Sequence, residues 1–356
     1  MALRWADIPS GDTGRYGTTK AYMLDGLWAE VNAACTLADD PDPNITGNVL
    51  TFGSALARYV LPSAQNTVGI GTRVWLDFIP VSNAQRPAIQ QWRDVSNNCV
   101  LAVFVSPTGA LQVYRDINYT TGAGTLVGAT SGPVMTAQAW RHVETKVFWS
   151  TTVGTVDIRV EGVSVLSLTN VNTGAANYAQ VAIGTSYSLL TITTTLSMKD
   201  VWFWDGSGSE NTTFLGPCGV YRLTPNADVS SGWSRTSGST DYDLVDEAPP
   251  NDAGYIYAGE SPIPAASIME MTNLPADIVG VRGLISVGRL QKSDGGDGME
   301  QTSMSPNGTD WDTGTDNAIS TAFSYYADVS EVSPDTAAAW TPAEVNAMSV
   351  RLNRTL

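Results

Sequence analysis

The sequence is poor in charge, histidine and cysteine, and each shortage excludes a kind of chemistry. Only 15% of its 356 residues are charged, against about 25% in a typical soluble domain. The single histidine, His142, cannot supply a multi-histidine metal site, and no Gly-x-Ser-x-Gly segment offers a hydrolase serine. Cys35, Cys99 and Cys218 form no Cys-x-x-Cys pair, so we expect small, buried, reduced residues rather than zinc or redox chemistry.

Positive charge is also scarce, with 19 Lys and Arg against 35 Asp and Glu and a net charge of −16. A phosphate backbone or an anionic bilayer would be repelled, which argues against nucleic acid and membranes as partners. No run approaches the roughly 18 apolar residues of a membrane span. The N-terminal stretch MALRWADIPSGDTG lacks the regions of a signal peptide. We therefore expect a protein made in the cytoplasm and not exported by the usual route.

Alternation with a period of two dominates the chain and predicts β-strands. CVLAVFV and ALQVYRD flank a Ser-Pro-Thr-Gly turn in which Gly109 is free to take a positive φ. HVETKVFW, VDIRVEG and VSVLSLT follow, the last two joined at Glu161-Gly162. Short strands with frequent turn signals predict an all-β, antiparallel sandwich or barrel.

A change in amino-acid composition divides the chain. Residues 206–217 are rich in Gly, Ser and Thr, so we predict an N-terminal arm at 1–20, a sandwich at 21–215 and a smaller β-rich domain at 216–356. Thr341, Pro342 and Glu344 have the spacing of a capping box with proline at the first helical position. With Trp340 and Val345 as a hydrophobic staple, they predict a short helix near 341–351.

His142 is the first candidate for catalysis. In an extended strand it shares a face with Glu144 and Lys146, which predicts a polar, partly solvated surface. No nucleophile, paired carboxylates or further metal ligands accompany it, so we expect no catalytic residue and no enzyme. On a solvated face, His142→Gln would change stability by within about 1 kcal/mol.

Acidic loops are the candidates for metal binding. Asp39, Asp40 and Asp42 lie in DDPDPN, and Asp294 and Asp297 lie in SDGGDG. Clustered carboxylates on flexible loops are the ligands that calcium takes, although neither loop has EF-hand spacing. Solvated acidic loops are the alternative, and we predict no other cofactor.

The 11 tryptophans and 13 tyrosines suggest either a packed core or an exposed contact surface. Trp202 and Trp204 share one face of VWFWDG, and Trp233 and Trp311 lie in later loops. These four are the candidates for a protein interface or a glycan platform, with core packing as the alternative.

Two stretches carry a resemblance to known families. WRHVETKV, followed by GTVDIRVEG and VLSLT, resembles the concanavalin A-like, laminin-G-like jelly roll, with Glu161-Gly162 where the family has Asn-Gly or Asp-Gly. Residues 199–258, including KDVWFWDG, FLGPCGVY and VDEAPPNDAG, are similar to the central part of tailed-bacteriophage virion proteins. The segment 333–354 is similar to their end.

This resemblance implies a jelly roll at 21–215 and a non-enzymatic structural part of a phage virion. The protein would decorate the capsid as a cement or head-fibre protein, or belong to the tail or its fibres. It would assemble in the host cytoplasm as a homo-oligomer with major capsid or tail proteins. The alternative is a carbohydrate-binding adhesin module that recognises host surface glycans.

Overall fold

The computed structural model describes residues 3–7, 30–31, 35–42, 48–52, 56–118, 123–174, 177–185, 194–207, 210–247, 250–259, 266–293, 295 and 298–355. The chain forms two compact units that separate after Val220, where the sequence predicts a boundary after residue 215. Residues 216–220 belong with the first unit because the amides of Gly216 and Val220 donate hydrogen bonds to the carboxylates of Glu144 and Asp200.

The first unit consists of antiparallel strands. They are β1 (Leu3–Asp7), β2 (Glu30–Val31), β3 (Cys35–Asp39), β4 (Asn48–Phe52), β5 (Leu56–Gln65), β6 (Thr67–Leu76), β7 (Ala88–Arg93), β8 (Cys99–Val105), β9 (Leu111–Arg115), β10 (Thr125–Ala129), β11 (Arg141–Phe148), β12 (Gly154–Val160), β13 (Val163–Val171), β14 (Tyr178–Gly184) and β15 (Leu196–Asp205). A single 3₁₀ turn among these described residues covers Asn83–Gln85.

Two sheets of this unit pack face to face. Sheet A has the order β13-β12-β11-β6-β15-β4-β3, with β1 also paired to β15, and sheet B has the order β10-β9-β8-β7-β14-β5-β2. The side-chain amide of Gln90 on sheet B donates to the carbonyls of Ile70 and Val143 on sheet A. Tyr59 and Phe203 stack across the interior with ring centroids 5.7 Å apart. The predicted antiparallel jelly-roll sandwich is confirmed.

The predicted turns fix the register of the hairpins. Gly109 has a φ of 78° between β8 and β9, which is the left-handed conformation that glycine adopts without a steric cost. Glu161 and Gly162, with φ of 51° and 77°, form the tight connection between β12 and β13, as a two-residue hairpin requires.

The second unit is a smaller β-rich body. Its strands are β16 (Pro225–Ser230), β17 (Ser234–Arg235), β18 (Ile256–Tyr257), β19 (Ser267–Met271), β20 (Leu284–Leu290), β21 (Met299–Ser305), β22 (Asp312–Thr313), β23 (Asn317–Ala318), β24 (Ser324–Ser330) and β25 (Ser349–Arg354), with a 3₁₀ turn at Tyr242–Leu244. Sheet C has the order β16-β19-β25-β21-β22 with β23 on β21, and β17-β18 and β20-β24 form two further pairs.

The short helix α1 (Pro342–Asn346) begins as predicted but ends early. Thr341 Oγ1 accepts from the Glu344 amide at 3.2 Å, and Glu344 Oε2 accepts from the Thr341 amide at 2.7 Å. Trp340 and Val345 are buried together with Met304 and Met348. The prediction of helix to residue 351 is wrong, because Ser349–Arg354 pairs with both β19 and β21 and is a central strand.

Within the described ranges, no helix has the length and apolar character needed to cross a membrane.

Candidate functional site

His142 is buried, so the predicted solvated surface is wrong. Its side chain is 1% exposed and stacks on Trp202, with ring centroids 5.0 Å apart and planes at 15°. Neither ring nitrogen has a hydrogen-bond partner among the residues that the structure describes. Burial, with a smaller effect of the nearby Arg73 cation, lowers the pKa of His142 to about 4. His142 is therefore a buried neutral ring.

The segment Phe214–Val220, which we call the strap, is bonded to Glu144, which shares a face of β11 with His142. The buried Glu144 carboxylate accepts hydrogen bonds from the amides of Leu215 at 2.6 Å and Gly216 at 3.0 Å. The Arg159 guanidinium lies 4.1 Å from the Phe214 ring centroid. Burial raises the pKa of Glu144, against the effect of its two backbone hydrogen bonds. The carboxylate therefore fastens the strap to the outer face of sheet A.

Trp202 and Trp204 are only 2% and 0% exposed, which removes both as glycan or docking candidates. They lie opposite Gly71 and Gly69 on β6. A Cβ added at Gly71 would stand 2.1 Å from the Trp202 indole, and one at Gly69 would stand 2.0 Å from Trp204. Each ring thus occupies the space that a missing side chain leaves, on the same face of sheet A as His142 and Lys146.

The other two tryptophan candidates are half-buried and do not meet in one site. The guanidinium of Arg351 lies 4.4 Å from the Trp311 ring centroid and occupies one of its faces. The Trp233 amide donates to Ser267 Oγ at 3.2 Å, which places Trp233 in the connection between β16 and β17. Neither tryptophan has a second ring beside it in the described ring contacts.

Asp40, one of the candidate calcium ligands, is held in a buried ion pair. Its Oδ2 binds Lys199 Nζ at 2.6 Å and its Oδ1 accepts from the Trp140 indole at 3.1 Å, with Asp40 and Lys199 both buried. Asp39 is exposed and Asp42 is half-buried, whereas Asp294 and Asp297 lie outside the described residues. In the part of the chain that is described, no group of three or more His, Cys, Asp or Glu side chains could hold a metal.

An exposed aromatic cluster in the second unit offers a site that the sequence did not predict. Tyr255 and Tyr257 are 42% and 48% exposed. Their ring centroids are 6.3 Å apart with planes at 66°. Phe323 also contacts Tyr255, with ring centroids 6.3 Å apart and planes at 65°. We call Tyr255, Tyr257 and Phe323 the aromatic cluster.

The backbone holds these rings in place. Tyr257 belongs to β18 and pairs with Ser234 on β17. Next to it, the amide of Tyr255 donates to Thr236 Oγ1 at 3.0 Å, and the amide of Thr236 donates to the Tyr255 carbonyl at 3.1 Å. Because side chains alternate along an extended chain, Tyr255 and Tyr257 point to the same side.

An ion pair borders the aromatic cluster. Arg289 on β20 binds both oxygens of Asp252, with Nε–Oδ1 at 2.7 Å and Nη2–Oδ2 at 2.8 Å. Its guanidinium lies 5.5 Å from the Phe323 ring centroid and 5.2 Å from that of Tyr325. The Asp252 side chain is 39% exposed. Exposed ring faces beside a fixed carboxylate can contact both the C–H surface and the hydroxyl groups of a small polar ligand.

One part of this cluster was visible in the sequence. Tyr255 and Tyr257 are two positions apart in YIYAG, which places them on one face of an extended chain. Phe323 and Arg289 are distant in sequence from these tyrosines, and only the tertiary structure brings them together.

No family model and no curated protein matches the chain. The proteins to which it is similar are solved structures. The carbohydrate-binding module CBM66 from Bacillus subtilis is 11% identical, covering 51% of this chain and 96% of its own, with a TM-score of 0.31. The calcium-bound exoplasmic/lumenal domain of VIP36 is 12% identical; the match covers 62% of this chain and 99% of that domain, with a TM-score of 0.35. A family 7 alginate lyase, A1-II′, is 11% identical; the match covers 58% of this chain and 94% of the lyase, with a TM-score of 0.36. All three are β-proteins that this chain is distantly similar to, and scores this low carry no argument about its ligand or activity.

Proposed function

We propose that the protein binds carbohydrate without catalysis, and that the aromatic cluster of the second unit is the binding site. The observation that carries the proposal is the exposure of Tyr255 and Tyr257 beside Phe323. Burying a large aromatic ring is favourable, so rings left in water at one point are a signature of a contact surface.

The polar border makes a sugar a better match than an apolar partner. Asp252 is held by two hydrogen bonds from Arg289, and a carboxylate has lone pairs left to accept hydroxyl donors. A sugar presents hydroxyl groups at its edge and C–H groups on its face. Both kinds of group find a partner at this site.

A glycan array probed with the full chain tests the proposal, followed by calorimetric titration of the best ligand. We expect Tyr257→Ala to weaken binding about tenfold or more, which corresponds to losing one good contact. Tyr221→Ala is the matched control, because Tyr221 is a similarly exposed tyrosine of the second unit, at 43%, that is not part of the aromatic cluster. Equal affinity of the Tyr257→Ala and Tyr221→Ala variants would reject the aromatic cluster as the site.

A structural role in a tailed-phage virion is the second candidate. It would include capsid decoration or a tail position, homo-oligomers, other virion proteins as partners and assembly in the host cytoplasm. The resemblance across residues 199–258 and 333–354 favours it. Some residues that carry this resemblance also stabilise the fold: Trp204 packs on Gly69, and the Leu215 amide donates a hydrogen bond to Glu144.

Protein composition of purified particles tests the second candidate. A high copy number per particle would place the chain on the capsid, and a low one would place it in the tail or its fibres. Absence from purified particles would reject the virion role and leave the carbohydrate proposal intact. Presence of a glycan-binding chain in the particle would unite the two roles as an adhesin.

A further inference from the structure

One side of β21 in the second unit is covered by an interrupted strand. β22 and β23 both pair with this side of β21, and residues 314–316 between them interrupt the pairing. We call residues 312–318 the edge strand. It pairs with β21 through two residues before the interruption and two after it, whereas β25 pairs with the other side of β21 through six. The edge strand is therefore the more weakly held neighbour of β21.

A buried carboxylate lies beside the edge strand. Glu300 on β21 is directly opposite Asn317 of the edge strand and is only 4% exposed. Its Oε1 accepts from Thr302 Oγ1 at 2.7 Å, whereas its Oε2 is buried without a hydrogen-bond partner in the described part of the chain. Such a position suits a neutral carboxyl group, because an ionised one would be a poorly compensated buried charge.

Two further carboxylates meet at the interruption of the edge strand. Asp328 on β24 accepts from the Thr315 amide at 3.1 Å and from Asn317 Nδ2 at 3.3 Å. Asp316 lies within the interruption, next to Asn317 in the chain. Since Asn317 is the residue opposite Glu300, both carboxylates lie near the buried one. Three acidic side chains thus surround one weakly held segment.

The cations around Glu300 do not bind its buried oxygen. Arg354 is opposite Glu300 on β25, and its Nη1 donates to the Gly259 carbonyl. Lys292, which follows β20, passes 3.4 Å from the position that a Cβ would take at Gly298. Neither donates a hydrogen bond to Glu300 Oε2.

The protonation of Glu300 is therefore set by its burial and by its acidic neighbours. Burial, reinforced by Asp328 and Asp316, raises the pKa of Glu300 to about 7, against the effect of the Thr302 hydrogen bond. The edge strand is the element that can relieve the ionised form, because four of its seven residues are exposed. Segments with exposed backbone and few contacts open at the lowest free-energy cost.

We infer that ionisation of Glu300 releases the edge strand from β21, so that this side of the second unit opens as the pH rises towards neutrality. Displacement of residues 312–318 would admit water to the carboxylate and carry Asp316 away from it. The neutral carboxyl group keeps the edge strand closed. This pH-sensitive opening does not depend on the proposed carbohydrate site.

Hydrogen exchange by mass spectrometry on the full chain from about pH 5 to about pH 8 tests the inference, with rates corrected for the intrinsic pH dependence of amide exchange. The stabilisation of the closed state is fully present below pH 4.5 and is lost as the pH rises through 7. In the wild type we therefore expect the protection of residues 312–318 to fall about tenfold or more over this range. At the upper pH these residues should exchange about tenfold or more faster than β25, because the release is local.

Glu300→Gln stays neutral at every pH and keeps an acceptor oxygen for Thr302, so we expect the protection of residues 312–318 to change within about twofold over the same range. Glu270→Gln is the matched control, because it removes the same charge from an exposed position on β19 of the same sheet. It should keep the pH dependence of the wild type.

Three outcomes would overturn the inference. The first is wild-type protection of residues 312–318 that does not fall with pH. The second is an equal fall in the Glu300→Gln protein. The third is exchange of residues 312–318 together with β25, which would show unfolding of the whole unit instead of a local release. The first and third are measured on the wild type and decide the question even if the variant does not fold.

Discussion

His142 is held as a neutral ring by aromatic packing, and this has a consequence for stability. Its pKa in the folded protein is about 4, below the ordinary value of 6.5. The folded state therefore favours the neutral form. The stabilisation is fully present above pH 6.5 and is lost as the pH falls through 6.5 towards 4. A difference of this size corresponds to about 3 kcal/mol.

We predict that His142→Phe, which keeps a ring against Trp202, removes this pH dependence. Relative to the variant, the wild type should lose about 3 kcal/mol of unfolding free energy between pH 7 and pH 3.5, as measured by urea denaturation. The comparison cancels the contribution of Glu300, whose pKa burial raises to about 7. That contribution is present below about pH 4.5 and is lost as the pH rises through 7.

The histidine resonance gives a direct control, because a chain with one histidine shows one imidazole titration by NMR. A midpoint near 6.5 would contradict the buried neutral ring. The His142→Gln variant separates the two environments as well. The limit of about 1 kcal/mol held only for a solvated face, and a buried, stacked ring predicts a loss of roughly 1–3 kcal/mol at pH 7.

Pattern alone could not place His142 correctly. The alternation of β11 correctly assigned His142, Glu144 and Lys146 to one face and Val143 to the other. Alternation cannot say what covers a face, and polar residues made the solvated surface the natural expectation. The strap, which is bonded to Glu144 on this face, begins more than 70 residues after His142 in the sequence, at Phe214.

Among the connections between strands, the strap has two of its amides bound to one side chain. Its Leu215 and Gly216 amides have the Glu144 carboxylate as acceptor. We predict that Glu144→Ala destabilises the first unit by about 1–4 kcal/mol, since the buried Leu215 amide left without an acceptor costs roughly 1–3 kcal/mol and the half-buried Gly216 amide costs less. Hydrogen exchange by mass spectrometry should show faster exchange in residues 214–220.

Glu210→Ala is the matched control for this experiment, because it removes the same charge from an exposed position of the first unit. Glu144→Gln should lie between the two variants, since its amide keeps one acceptor oxygen for the strap. Equal exchange of residues 214–220 in the Glu144→Ala and Glu210→Ala proteins would show that the carboxylate does not fasten the strap.

Elements with local signals were predictable, and those set by tertiary pairing were not. The hairpin at Glu161-Gly162 and the start of α1 at Pro342 follow from turn and cap chemistry within a few residues. The end of α1 does not, because Ser349–Arg354 is drawn into sheet C between β19 and β21. The aromatic cluster could not be predicted for the same reason, because Phe323 and Arg289 come close to Tyr255 only in the folded chain.

The two units differ in which of their aromatic residues they bury and which they leave exposed. The first buries its most conspicuous aromatic and charged residues, as Trp202, Trp204 and the Lys199–Asp40 pair show. The second buries Met304, Trp340, Val345 and Met348 as a core of its own and leaves Tyr255 and Tyr257 in water. Fold class and function are therefore separable here, since the jelly roll defines the first unit and the proposed site lies in the second.

This separation predicts that residues 221–356 form a functional fragment. A fragment of that length with its own core and a six-stranded sheet is large enough to fold alone. We expect one cooperative thermal transition by circular dichroism and an affinity for the preferred sugar within about twofold of the full chain. Residues 1–220 should fold as a β-protein and show no binding of that sugar. Sugar binding by residues 1–220, or by a folded 221–356 fragment that carries Tyr257→Ala, would place the site elsewhere.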